Sequence, residues 1–192
     1  MAQGYTMRHL LALVLCSLVS TPAFAADLAD SWREARIRPQ DARLTALLRE
    51  GIVRSATFRA LVNRIEASNL FVYVTLSPVM KASLAGKLTW MTRAGDFRYV
   101  RATINTEQSP DQMIATLAHE LQHAVEVIED ETVSNQRSLQ ELYKRIGRQS
   151  YSGITTGWET MAAQETGLRV RRELLSAATA TQASHVAELS QS

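Results

Sequence analysis

The chain has 192 residues, 46% of them hydrophobic, which is enough apolar material for a packed core and excludes global disorder. Its formal net charge is only +2, with 21 Lys and Arg against 19 Asp and Glu. The basic residues are dispersed, so the sequence predicts no nucleic-acid partner.

Arg8 and His9, the apolar run Leu10 to Val19 and the small-x-small triplet Ala23-Phe24-Ala25 read as a secretory signal peptide over residues 1–25. The apolar run is too short for a bilayer span, so no stable membrane span is expected after cleavage near Ala25-Ala26. Export to the periplasm or the exterior is the expected destination. The single cysteine, Cys16, lies within this leader. The expected mature chain therefore has no thiolate, and any metal ligands in it must be His and carboxylates.

Residues 26–177 are expected to form one domain. Asp30 to Arg38 and Asp41 to Glu50 read as short helices separated by Pro39, with Gly51 ending the second. Ser55 to Ala67 reads as a third, with Phe58, Leu61, Val62 and Ile65 on one stripe. Leu70 to Leu76, Lys87 to Arg93 and Phe97 to Ile104 are predicted strands, the last two joined by a short loop at Ala94-Gly95-Asp96. These elements predict an α+β fold: a small antiparallel sheet of about three strands packed against helices.

Ser109-Pro110-Asp111-Gln112 has every mark of a helix start: Ser as N-cap, Pro at the first position and Gln closing a capping box. The helix extends to about Glu129, with Ile114, Leu117, Ala118, Leu121, Val125 and Ile128 along one stripe. His119 and His123 fall on the opposite, more polar side. Asn135 to Ile146 follows as a helix with Gly147 capping it, then an irregular loop over Arg148 to Thr155. Thr156 to about Ala177 is predicted as the last helix, with residues 178–192 a frayed tail.

The chemistry concentrates in His119-Glu120-Leu121-Gln122-His123, an instance of HExxH. Residues four apart sit one turn above each other on a helix, so the two imidazoles can converge on one ion. Glu120 is turned aside, where it can hold a water against the metal instead of ligating. The third ligand is expected to be a carboxylate, since His185, the one later histidine, lies in the tail. Glu126, Glu129, Asp130, Glu131, Glu141, Glu159, Glu165 and Glu173 are the possibilities. Glu159 is favoured because it begins the face of its helix that carries Ala162, Ala163, Thr166 and Val170, where a buried carboxylate needs a strong partner. Thr156-x-x-Glu159 also matches a capping box, which would explain Glu159 without any metal.

HELQH followed one helix later by such a Glu resembles the gluzincin branch of zinc metallopeptidases, and the chain length resembles its minimal-scaffold members. Ser55 to Leu175 is also similar to uncharacterised exported bacterial proteins with HELQHA and a Glu159-Thr160-x-Ala162-Ala163 helix. The resemblance implies a zincin-like fold, Zn²⁺ on His119, His123 and Glu159, and Glu120 as general base in hydrolysis of a peptide or protein substrate. One departure stands out: gluzincins often place an acid four residues after the ligand Glu, and here that position is Ala163. Tyr151 and Tyr143 are candidate donors to the oxyanion. The strand from Phe97 to Ile104 is a candidate for pairing with an extended peptide, unless it is interior to the sheet. Zinc hydrolysis of a non-peptide amide, and a non-catalytic metal- or partner-binding domain, are the alternative functions. Oligomeric state and substrate identity leave no trace in the sequence.

Overall fold

The computed structural model describes residues 35–80, 84–152 and 155–189, with the backbone alone for 150–152, 155–156, 181 and 184–189. The expected signal peptide and cleavage site lie outside these residues. Six strands and five helices follow in order: β1 (Ile37–Pro39), α1 (Ala42–Arg54), α2 (Ala56–Glu66), β2 (Leu70–Ser77), β3 (Gly86–Ala94), β4 (Phe97–Asn105), α3 (Pro110–Glu129), α4 (Gln136–Ile146), β5 (Arg148–Ser152), β6 (Thr155–Glu159) and α5 (Met161–Leu189). None of the described helices is long and apolar enough to cross a membrane.

The fold is α+β, as expected, but the main sheet is mixed. Its order is β1-β2-β4-β3, with β1 and β4 parallel to β2 and β3 antiparallel to β4. The expected helix over Asp30 to Arg38 gives way to β1 at its described end. Pro39 tolerates this edge position, because an edge strand needs no donor on its outer side. The two helices between β1 and β2 supply the long connection that parallel pairing requires. Two-residue loop Gly95-Asp96, with Gly95 at φ 57°, turns β3 back into β4, which slots between β2 and β3. Phe97 to Ile104 is therefore interior to the sheet. Its backbone groups face strands on both sides, and β3 is the edge strand opposite β1.

Gly51 does not end α1. It is buried inside the helix, where a Cβ would come within 2.9 Å of the Phe58 ring and 3.0 Å of Ile114. The chain breaks at Ser55, whose N–H closes α1 on Gly51 O and whose hydroxyl caps α2 at Phe58 N. Leu70, Val72 and Val74 of β2 and Val100, Ala102 and Ile104 of β4 face one side of the sheet and join Leu44, Leu48, Phe58, Ile65, Ile114, Leu117 and Leu121 in one core. Each such side chain, fully buried, contributes about 1.5–3 kcal/mol.

Helix α3 is fixed at both ends. Ser109 accepts from Gln112 N, Gln112 accepts from Ser109 N, and Asp111 takes two bonds from Arg54 at 2.8 and 3.0 Å. Arg54 also donates to Leu174 O, tying α1, α3 and α5 together. At the other end, buried Arg98 donates to Val127 O at 2.7 Å, to Asp130 O at 2.9 Å and to Asn69 Oδ1 at 3.0 Å. A cation on the last carbonyls of a helix satisfies both their lone pairs and the negative end of the helix dipole.

The predicted loop at Arg148 to Thr155 is instead a hairpin, with β5 antiparallel to β6 and Arg148 opposite Glu159. Glu159 thus ends a strand and is not the third residue of a helix. α5 starts at Met161, with Thr160 Oγ1 accepting from Ala163 N at 3.1 Å, and continues to Leu189, beyond the expected end at Ala177.

Candidate metal centre

Two elements deliver the three candidate ligands: α3 carries His119 and His123, and β6 ends in Glu159. One donor atom from each of the three lies within 4.8 Å of the others, so this group can hold a metal ion. Nε2 of His119 is 2.9 Å from Glu159 Oε2, and Nε2 of His123 is 3.9 Å from the same oxygen. The two imidazole rings meet edge to face, centroids 4.8 Å apart.

Apart from this 2.9 Å approach of His119 Nε2, Glu159 Oε2 is a buried oxygen without a hydrogen-bond partner. Buried carboxylate oxygens normally have partners. A cation reached by all three donors satisfies this one. Because Glu159 closes a strand, the capping-box explanation for it no longer applies.

Burial pushes the Glu159 carboxyl up, but His119 and His123 beside it outweigh burial and hold it below its ordinary value. For His119 burial works against the charged form, and the carboxylates of Glu159, Glu120 and Glu126 nevertheless raise it.

Glu120 occupies a different position. It is 3% exposed, its Oε2 has no partner, and burial pushes its carboxyl up to about 7. Opposite it stands Gly86, at the start of β3, where a Cβ would be 2.6 Å from Glu120 Oε1 and 2.7 Å from Thr116 Cγ2. The absence of a side chain at residue 86 is what lets the sheet edge lie against Glu120. The neighbouring chain is held there by Asn105 Nδ2 on Leu84 O and Gln108 Nε2 on Ala85 O, while Thr116 donates to Gln108 Oε1 at 2.7 Å.

His119, Glu120 and Glu159 open onto a cleft of about 690 Å³, walled by Ala85 and Gly86 on one side and by Gln164, Gly167 and Leu168 of α5 on the other. Gly167 makes this approach possible: a Cβ there would lie 3.3 Å from Ala115 O and 3.4 Å from His119 Cβ. Ala163 packs inward beside it, whereas Ala162 faces solvent.

His123 lies behind the cleft and is 5% exposed, so the polar side of α3 is an interior wall covered by α5. Its Nδ1 is 2.7 Å from Glu126 Oε2, and Tyr143 packs across its ring at 5.0 Å and 70°. Glu126 is therefore a partner of His123 and not a ligand, a role its i+3 spacing makes readable. Tyr143 donates to His123 O at 3.2 Å, which removes it from the candidate oxyanion donors. Tyr151 belongs to β5, and its side chain, like that of His185, lies outside the described residues. Glu165 faces solvent away from the site. Glu129 pairs with Arg64, Asp130 with Arg145, and Glu141 lies against Arg137. Glu173 accepts from Ser55 and Thr57.

Gly86 and Thr160 carried no functional expectation. A Gly opening a strand and a Thr three residues before an α5 amide are local signals for close approach and for capping, and neither shows what it touches. Comparison of the chain with protein-family models, with curated proteins and with solved structures found no match.

Proposed function

We propose that this chain is an exported zinc-dependent hydrolase of the gluzincin-like kind, cleaving peptide bonds with Glu120 as general base. The observation that carries it is the pairing of two features beside one cleft: three convergent donors on His119, His123 and Glu159, and a separate buried carboxylate, Glu120, whose Oε2 lacks any partner.

Zn²⁺ at these donors supplies a Lewis acid that polarises the scissile carbonyl and acidifies water. Glu120 accepts the proton of the attacking water on its free oxygen and returns it to the leaving amine. Burial raises this carboxyl to about 7 in the metal-free site, and a cation on the three donors would lower it towards the ionised form a base needs. Edge strand β3 borders the cleft at Gly86, so an extended peptide can add to the sheet there, a task for which interior β4 is unavailable. Glu126 holds His123, the second histidine, from within α3 itself, whereas Ala163 offers His119 no such acid.

The test is elemental analysis of purified protein followed by assay of wild type and Glu120→Gln on a broad peptide library. Stoichiometric zinc, cleavage by wild type and a loss of about 10²-fold or more in the variant with zinc retained are expected. Absence of zinc uptake refutes the centre, and full activity in Glu120→Gln refutes the mechanism. Export is tested by the mass of the mature N-terminus, expected at Ala26.

A further inference from the structure

Behind the cleft, the Glu126 carboxylate is held at both oxygens. Oε2 faces His123 Nδ1 at 2.7 Å, and Oε1 accepts from Thr160 Oγ1 at 2.5 Å. His123, Glu126 and Thr160 are all buried. The Thr160 hydroxyl oxygen also accepts from Ala163 N, the cap of α5. Thr160 is the residue immediately after Glu159, at the joint where β6 becomes α5.

We propose that Thr160 and Glu126 form a clasp that fixes the two halves of the metal site as one unit, with both acting as positioning residues. This rests on the zinc reading above. A carboxylate bound at both oxygens cannot rotate, so it requires the hydrogen of neutral His123 to sit on Nδ1 and leaves the Nε2 lone pair directed at the side where Glu159 lies. The clasp also works across the chain. The joint that sets where the Glu159 carboxylate stands carries, one residue on, the hydroxyl that anchors the partner of His123. Displacing the end of β6 therefore moves a ligand and releases another ligand's support together. Tyr143 closes the remaining side of the His123 ring.

Capping alone does not require this arrangement. Any N-cap acceptor satisfies Ala163 N, but Glu126 needs a donor. Thr160→Asp separates the two roles: it keeps a good cap, cannot donate, and sets a second carboxylate against Glu126. Thr160→Ser keeps both roles, and Glu126→Leu removes the acceptor at similar size.

Zinc affinity by chelator competition and ¹⁵N chemical shifts of the His123 ring in the zinc-free protein are the two readouts. Wild type and Thr160→Ser are expected to share one affinity and an Nδ1–H tautomer. Thr160→Asp and Glu126→Leu are expected to bind zinc about 10–100-fold more weakly, and Glu126→Leu to lose the tautomer preference. Thermal unfolding of the zinc-free Thr160→Asp protein is expected to fall, because two buried carboxylates then face each other, and wild-type helix content by circular dichroism reports that the cap survived. Wild-type affinity in Thr160→Asp or Glu126→Leu overturns the clasp. If wild type takes up no zinc, the functional reading falls, and the tautomer alone decides: wild type without Nδ1–H overturns the clasp, and its presence there with loss in Glu126→Leu sustains it.

Discussion

Substituting Gly86 by Ala adds one methyl group to the point where the sheet edge meets the HELQH helix, α3. An added Cβ would lie 2.6 Å from Glu120 Oε1, 2.7 Å from Thr116 Cγ2 and 3.1 Å from Glu120 Cγ, whereas ordinary contact begins near 3.4 Å. The Glu120 carboxylate must therefore retreat by about 0.8 Å, and Thr116 by nearly as much. Thr116 is tethered through Gln108, so the strain is not relieved by a freely swinging side chain. Misplacing a reacting group by about 1 Å costs on the order of 10²-fold in rate, which corresponds to about 2.7 kcal/mol of transition-state stabilisation. Overpacking adds about 1–3 kcal/mol of destabilisation, partly offset by up to about 1 kcal/mol from removing a flexible Gly from a strand. At about 2–4 °C per kcal/mol the melting temperature falls by a few degrees. Zinc content stays at the wild-type level, because no ligand touches Gly86. The assay is kcat/KM on the best library peptide, with zinc content and Tm on the same preparation. Gly157→Ala serves as control, since a Cβ there meets nothing within 4 Å. Wild-type kcat/KM and Tm in Gly86→Ala would refute the close approach of β3 to Glu120 and the role assigned to that approach.

Other substitutions test the electrostatics and the frame. Burial raises Glu120 to about 7, so in zinc-free protein its contribution is fully present below the ordinary Glu value of about 4.3 and is lost as pH rises through about 7. Glu120→Gln cannot ionise, so urea denaturation of the zinc-free proteins is expected to show the variant gaining on wild type between pH 4.5 and 8, and parallel profiles would contradict the burial. Glu173 has the opposite sign: burial pushes it up, but hydrogen bonds from Ser55 and Thr57 outweigh burial and hold it below its ordinary value. Its contribution is present above about pH 4.3 and is lost as pH falls through the lower folded value. Glu173→Gln is expected to cost about 1–2 kcal/mol at pH 7, a cost that shrinks as falling pH protonates the wild-type carboxylate. Arg98→Met strips three carbonyl contacts from the end of α3 and is expected to cost about 2–4 kcal/mol in chemical denaturation; a change within 0.5 kcal/mol would show that α3 does not depend on it. Zinc at about 100 times its Kd is expected to stabilise wild type by about 2.7 kcal/mol, and His123→Ala to abolish that shift.

HELQH and its helix were legible because their determinants are local. The Ser109 capping box, the apolar period and the i, i+4 spacing of His119 and His123 all lie on one continuous segment, and the structure keeps them. The strands at Leu70, Lys87 and Phe97 were equally local, as β-branched runs bounded by turn residues. Glu159 was selected for a mixed reason. It does meet the histidines, yet it arrives there at the end of β6 and not at the start of a helix. Gln149, Tyr151, Thr155 and Thr156 carry no strong period, and a short hairpin with few apolar residues is fixed by pairing with its partner strand, which a one-dimensional pattern does not encode.

What the sequence determined by itself is therefore local: which side chains are on hand and how His119, Glu120 and His123 are spaced along α3. Tertiary structure decided everything that depends on two distant segments meeting. It set β4 inside the sheet and β3 at its edge, brought Gly86 against Glu120, and made the polar side of α3 an interior wall under Gly167. It also brought Thr160 onto Glu126, 34 residues away in the chain. The reason is geometric. Spacing within one helix fixes direction to within a turn, but a hydrogen bond or a steric limit between elements depends on how those elements pack, and packing is settled by the whole core at once.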